Sequence, residues 1–283
     1  MRILITGSNG QLGLELANQF DNSNKGYEII KTDIHNLDIT DREEVLRMMK
    51  LSNPQIVINC AAYTNVDNCE SDELNAFRVN SIGAQNLSIA AFCTGAKVVQ
   101  ISTDYVFEGT GNTPKREYDA VNPQTIYGKS KALGEKLVRE SNPRHLIIRT
   151  SWLYGKGRNF VRTMLKLSKE KKVINVVDDQ VGSPTSTVDL AKCIINLIQS
   201  DQYGTFHASC EGQCSWFDLA SKIFEIKGIK VQLNRISSEQ LDRPAMRPKY
   251  SVLENYMLKL LGANTFRNWD EALYEYLKGD YEL

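Results

Sequence analysis

The sequence predicts an α/β protein: a doubly wound parallel sheet with a smaller C-terminal α/β region. Two observations carry this. Strand-like and helix-like segments alternate along residues 1–151 of the 283-residue chain. The strand-like segments are nearly continuous aliphatic runs, as strands covered by helices on both faces must be. With 42% hydrophobic residues the chain can bury a sizeable core, which excludes a disordered polymer.

The elements follow in order. Residues 2–6, RILIT, form a short apolar strand closed by glycine. Leu12, Leu14, Leu16, Ala17 and Phe20 recur at helical intervals and give the first helix. A second strand is expected at 27–32. Thr40 with Glu43 three residues later reads as a capping box that opens a helix running to residue 50. A third strand, 55–59, follows the break at Asn53-Pro54. Residues 72–93 read as one long helix with Leu74, Phe77, Ile82, Leu87, Ala90 and Ala91 on its apolar positions. A fourth strand at 97–102, a helix at 122–140 and a fifth strand at 145–149 complete this half. Beyond residue 151 the rhythm changes. Helices are expected at 158–171, 188–199, 216–226 and 269–277, and strands at 173–177 and 230–236. The division this implies is a cofactor domain at 1–151, rejoined by 178–201, and a substrate domain made of 152–177 and 202–283.

Composition narrows the partners. Thirty-four Lys+Arg balance 34 Asp+Glu. A nucleic-acid binder would carry a basic excess, so no nucleic-acid partner is expected, and an anionic ligand must be caught by local donors. No stretch approaches the ~20 apolar residues of a membrane span. The first ten residues do not read as a signal peptide, because glycines interrupt the apolar run. Cys60, Cys69, Cys93, Cys193, Cys210 and Cys214 are scattered without paired metal spacing, and His207 near Cys210 does not complete a zinc set. The expectation is a reduced, cytoplasmic protein.

Gly7-Ser8-Asn9-Gly10-Gln11-Leu12-Gly13 joins the first strand to the first helix. Glycines at Gly7, Gly10 and Gly13 permit a tight turn and close approach of backbone to a pyrophosphate. The helix N-terminus supplies free N–H groups and partial positive charge. A strand before and a helix after make this a dinucleotide loop of a Rossmann-like fold. Asp33, at the end of the second strand, suits the adenine-side ribose hydroxyls of NAD, while nearby Lys31 suits the 2′-phosphate of NADP. Asp38 and Ile39 follow and are placed to flank the adenine.

Three pairs have the spacing Tyr-x-x-x-Lys: Tyr27/Lys31, Tyr127/Lys131 and Tyr274/Lys278. On a helix such a pair shares a face. Tyr27 falls in a strand and Tyr274 in the terminal helix. Tyr127 opens a helix after the strand-end cluster Ser102-Thr103-Asp104-Tyr105. A cation beside a phenol should lower its pKa and make it a proton donor. With Thr103 as a second hydroxyl, Thr103, Tyr127 and Lys131 form a carbonyl-polarising triad.

These residues resemble the extended short-chain dehydrogenase/reductase superfamily and, within it, the dTDP-4-dehydrorhamnose reductase family. The resemblance spans essentially the whole chain. It rests on Gly7–Gly13, on 59–67 (NCAAYTNVD), on 102–109 (STDYVFEG) and on 127–131 (YGKSK) with Gly134-Glu135. It rests also on 149–155 (RTSWLYG), 178–185 (DDQVGSPT) and 247–253 (RPKYSVL). The resemblance implies reduction of the C4 carbonyl of a dTDP-linked 4-keto-6-deoxyhexose by NADPH or NADH, with Tyr127 as proton donor. It places Gly10, Gln11 and Leu12 at the pyrophosphate and Asp38 and Ile39 at the adenine. Ala61, Ala62, Tyr63, Thr64 and Ser102 would line the cofactor groove, and Lys131 would hold the nicotinamide ribose. Val66, Thr103, Asp104, Tyr105 and Trp152 would meet the nucleotide sugar, and Arg247 is the candidate for its diphosphate. A homodimer with Mg2+ at a carboxylate-lined contact is also implied, with Glu15 and Asp189 as the candidate ligands. The alternatives are an epimerase or dehydratase on the same scaffold, or a non-catalytic NADP-binding regulatory subunit.

Overall fold

The computed structural model describes residues 1–23 and 25–279. The N-terminal half runs β1 (Arg2–Thr6), α1 (Gln11–Asp21), β2 (Glu28–Lys31), α2 (Arg42–Ser52), β3 (Ile56–Asn59), α3 (Val66–Ser71), α4 (Glu73–Phe77), a π-helical turn (Arg78–Gly83) and α5 (Ala84–Cys93). It continues with β4 (Lys97–Thr103), a short 3-10 turn (Asp104–Val106), α6 (Ile126–Ser141) and β5 (His145–Thr150). Then come β6 (Leu153–Tyr154), α7 (Phe160–Glu170), β7 (Val173–Val177), β8 (Val181–Gly182), β9 (Thr185–Ser186), α8 (Thr187–Ile198) and β10 (Gly204–His207). The chain closes with β11 (Cys214–Ser215), α9 (Trp216–Lys227), β12 (Gln232–Ile236), α10 (Tyr256–Leu260) and α11 (Trp269–Lys278). Among the described residues no helix is long and apolar enough to cross a membrane.

The central sheet has the order β10-β5-β4-β3-β1-β2, and every pairing in it is parallel. Strand residues alternate between two cores. Ile3, Ile5, Ile56, Ile58, Val99, Leu146 and Ile148 pack against α1 and α8. Leu4, Val57, Val98 and Ile147 pack on the other face with residues of α2, α5 and α6. Each fully buried aliphatic side chain contributes about 1.5–3 kcal/mol of transfer free energy, so both layers hold the sheet flat against its helices. A third core joins α7, β7, α9 and α11 in the smaller region, where β7 and β12 form a separate parallel pair.

Several expectations are corrected. The segment 72–93 is helical throughout from Glu73, after Asp72 at its cap, but it is not regular α-helix: it passes through the π turn. Leu74 and Ile82 are exposed at 82% and 43%, while Asn80, Ser81 and Gly83 are buried. The π turn rotates the helix and brings polar Asn80 inward, which apolar periodicity cannot foresee. Helix α2 is capped by Asp41, not Thr40; the Asp41 carboxylate accepts from Glu44 N at 3.0 Å. Helix α6 starts at Ile126 rather than 122, since the Thr125 hydroxyl caps Gly128 N and Pro123 lies ahead of it. Segment 178–201 returns as α8 against α1. The strand that completes the sheet, β10, lies beyond it, in the part assigned to the substrate domain.

Candidate active site

The site lies along the carboxyl ends of β1 to β5, where a parallel sheet exposes its loops. Gly7 takes φ 63°, and a Cβ there would sit 2.6 Å from Ala61 N. A Cβ on Gly13 would sit 2.4 Å from Gly7 O. The glycines therefore fold the loop onto its own helix and onto the start of the 61–64 segment. No side chain caps the N-terminus of α1, which leaves its N–H groups free to meet a phosphate. Asp33 is held at the loop's edge, accepting Asn9 N at 3.0 Å and Ile34 N at 2.8 Å. Asp38 accepts from Thr40 and lies 3.8 Å from the Arg78 guanidinium.

Asn80 explains the π turn. Its Oδ1 accepts Tyr63 N at 2.8 Å, and its Nδ2 donates to Tyr63 O at 3.1 Å and Ser130 Oγ at 3.0 Å. One buried amide thus ties the 61–64 wall of the cleft to α6. Gly134 allows this: a Cβ there would lie 2.2 Å from Asn80 O.

Thr103 ends β4 buried, with its hydroxyl donating to Asp104 Oδ1 at 2.8 Å. Tyr127 stands at the start of α6, its ring edge-on to Tyr105 at 5.4 Å. Burial pushes its phenol above its usual value, opposed by the Thr103 hydroxyl. The expected lowering by Lys131 is not seen: its ammonium is turned to the Ile101 carbonyl and is not among the groups that act on the phenol. Lys131 is buried and donates to Ile101 O at 2.6 Å. Burial lowers its ammonium to about 8, opposed chiefly by the charge of Glu135. Burial also raises the Asp104 carboxyl to about 6, opposed by the Ser251 and Thr103 hydroxyls.

The opposite wall comes from the smaller region. Trp152 adopts φ 46°, an outlier for a bulky residue. Its indole stacks on Trp216 at 3.5 Å and 4°, and Phe160 lies 4.5 Å from Trp216. Trp216 Nε1 donates to Gln180 Oε1 at 3.0 Å. Arg247 pairs with Asp67 at 2.7 Å and donates to Ala245 O at 3.0 Å. That pairing holds the Asp67 carboxyl below its usual range despite the cost of its partial burial.

Most of these residues line one cleft of about 1310 Å³, with Asn80, Ser130, Gly134 and Asp67 set behind its walls; it is larger than the ~300–1,000 Å³ of a typical single-ligand pocket. It brings together Gly7, Gly10, Gln11, Leu12, Gly13, Asp33, Asp38 and Ile39 with the 61–64 wall and Val66. Ser102, Thr103, Asp104, Tyr105, Tyr127, Lys131, Trp152 and Arg247 line it too. Sequence reasoning missed Asn80, Trp216, Phe160, Gln180 and Arg243. Helical patterning marked Trp216 only as the start of a helix, and nothing local pairs it with Trp152. Glu15 and Asp189 are not in the cleft. Asp189 is held by the Arg267 guanidinium, 3.0 Å from each carboxylate oxygen, and Glu15 accepts from Gln19 at 2.8 Å. Asp189 thus already has a cationic partner, and within this one chain no group of three or more His, Cys, Asp or Glu side chains placed to hold a metal is found among the described residues.

Comparison with known proteins agrees on one lineage. The profile described as "RmlD substrate binding domain" matches residues 1–281. The spore coat polysaccharide biosynthesis protein SpsK of Bacillus subtilis is 44% identical over 98% of this chain and 97% of its own. The crystal structure of a dTDP-4-dehydrorhamnose reductase from Clostridium acetobutylicum superposes with a TM-score of 0.96 at 50% identity, covering 98% of both chains. That of a dTDP-4-dehydrorhamnose reductase from Bacillus anthracis, in complex with NADP, gives 0.94 at 44% identity, covering 97% of this chain and 98% of that one.

Proposed function

The chain belongs to the dTDP-4-dehydrorhamnose reductase family, of RmlD type, and on that premise we propose that it reduces dTDP-4-dehydro-L-rhamnose to dTDP-L-rhamnose with NADPH or NADH. The observation that carries this reading is the meeting of Thr103, Tyr127 and Lys131 between an uncapped helix N-terminus and an aromatic wall, in a cleft with room for two ligands.

The residues present fit a dinucleotide. Gly7, Gly10 and Gly13 keep the loop free of side chains where the pyrophosphate needs backbone N–H groups. Asp33 and Asp38 lie toward the adenosine end, and the 61–64 segment and Ser102 flank the groove. The bound cofactor supplies the hydride. Thr103 and Tyr127 hydrogen-bond the C4 oxygen of the sugar, and Tyr127 gives it the proton, so that one hydride and one proton make the alcohol. Lys131 holds the nicotinamide ribose. Asp104, Tyr105 and Val66 frame the sugar, and Trp152 packs on it. Arg247, with Arg243 beside it on the cleft wall, faces the diphosphate with a guanidinium suited to phosphate oxygens. On this division residues 1–151, α8 and β10 serve the cofactor, and the remaining C-terminal segments serve the nucleotide sugar. We place the enzyme in the cytoplasm, where both ligands are available.

Replacing Tyr127 by Phe tests the assignment. Turnover should fall by about 10²–10⁴-fold, the range for loss of a general acid. NADPH affinity, read from the quenching of protein fluorescence, should stay within about twofold, because the phenol hydroxyl is one contact among many. Retained turnover would show that Tyr127 is not the proton donor.

A further inference from the structure

The face of α6 that carries Tyr127 and Lys131 continues one turn further to Glu135, at the spacing i, i+4, i+8. Glu135 is 2% exposed and saturated with donors. Its Oε1 accepts Ser102 Oγ at 2.5 Å and Arg149 Nε at 2.9 Å, and its Oε2 accepts Arg149 Nη2 at 2.7 Å. Arg139 adds a weaker contact at 3.8 Å. This bonding fixes the carboxylate between α6, β4 and β5, directly behind the cleft.

Among the described residues, Glu135 is the carboxylate that acts on Lys131. From β4 Lys131 meets the neutral Ile101 carbonyl. From the end of β3 it meets Cys60, whose thiol burial pushes up to about 12 and keeps uncharged. Tyr127 on its own helix is a neutral phenol. Behind Glu135, Arg149 touches His207 of β10 at 3.4 Å, and burial with the Arg149 charge pushes that imidazole down to about 3, so it too is neutral. Of the two charges in the Glu135–Arg149 pair, the carboxylate is the one that acts on Lys131. An ammonium buried this deeply, without a counter-charge, would lose its proton near neutral pH.

We propose that Glu135 is a positioning residue: anchored by Arg149 and Ser102, it keeps Lys131 in the ammonium form that grips the cofactor. The proposal rests on the cofactor-side role of Lys131 given above. NADPH affinity should therefore weaken as Lys131 loses its proton with rising pH, near 8 in the native protein. Removing Glu135 lowers the pKa of Lys131 further, so the loss should move to lower pH.

The experiment measures NADPH binding to the free protein across pH 6–10 by fluorescence, with no sugar present. A failed substrate assignment would leave this readout intact. Glu135→Gln should shift the alkaline loss of affinity about one pH unit downward, as expected for a nearby buried charge. Glu135→Gln leaves Arg149 unpaired and is at risk of not folding. The double replacement Glu135→Leu with Arg149→Met removes both partners, a change that buried pairs tolerate, and should show the same downward shift. A folded variant whose alkaline limb stays in place, even with a lowered Tm, would reduce Glu135 to a structural anchor and overturn the proposal.

Discussion

The two walls of the cleft are built in different ways. The wall proposed for the cofactor is mostly backbone: glycines, an uncapped helix N-terminus and the ends of parallel strands. The wall proposed for the sugar is mostly side chains brought together from far apart. Trp152 meets Trp216 and Asp67 meets Arg247 across a fold that no local pattern encodes. The difference teaches where each wall is vulnerable. A backbone site fails when an added atom pushes the chain aside, whereas a side-chain site loses affinity one contact at a time.

The largest separation should come from Gly13→Ala. Its Cβ would sit 2.4 Å from Gly7 O and 2.7 Å from Ser8 Cα, both backbone atoms of a tight loop. Overpacking of this kind costs about 1–3 kcal/mol. Because the loop must open to relieve it, calorimetric NADPH affinity should fall by about 100-fold or more, with the N–H donors moved off the phosphates. A Gly13→Ala protein that binds NADPH normally would break the claim that backbone geometry makes this wall.

A smaller effect, on the other wall, is expected for Trp216→Ala. The change removes the platform under Trp152 and the bond to Gln180. An aromatic pair is worth about 0.5–1.5 kcal/mol, so KM for the nucleotide sugar should rise roughly three- to tenfold. NADPH affinity should be unchanged. If calorimetry shows cofactor affinity falling as far as sugar affinity, the two walls are not separable.

The same contrast explains how much was legible in the sequence. Gly7, Gly10 and Gly13 announce themselves because their chemistry is local: a turn between a strand and a helix needs residues without side chains. Tyr127 and Lys131 are legible once the helix is placed, since spacing alone puts them on one face. Asn80 was hidden because it works through a π turn, which periodic reading treats as ordinary helix. Thr40 was mistaken for a cap because it stands one residue before Asp41, whose carboxylate makes the bond. Arg247 was legible as a cation, but its partner Asp67 was not, since no pattern links positions so distant. The expected lowering of the Tyr127 phenol by Lys131 failed for a physical reason. Spacing puts both residues on one helix face, but the Lys131 ammonium is turned to Ile101 O and loss of water around the buried phenol raises it, and both are set only by the folded chain.

Net reduction of a nucleotide-linked 4-keto sugar is checked by mixing the protein with NADPH or NADH and a limiting amount of dTDP-4-dehydro-L-rhamnose, then following absorbance of the reduced nicotinamide. One reduced cofactor should be oxidised per sugar consumed, with dTDP-L-rhamnose as the product. Conversion of the sugar with no net cofactor oxidation would contradict net reduction and assign the cleft to internal redox chemistry instead.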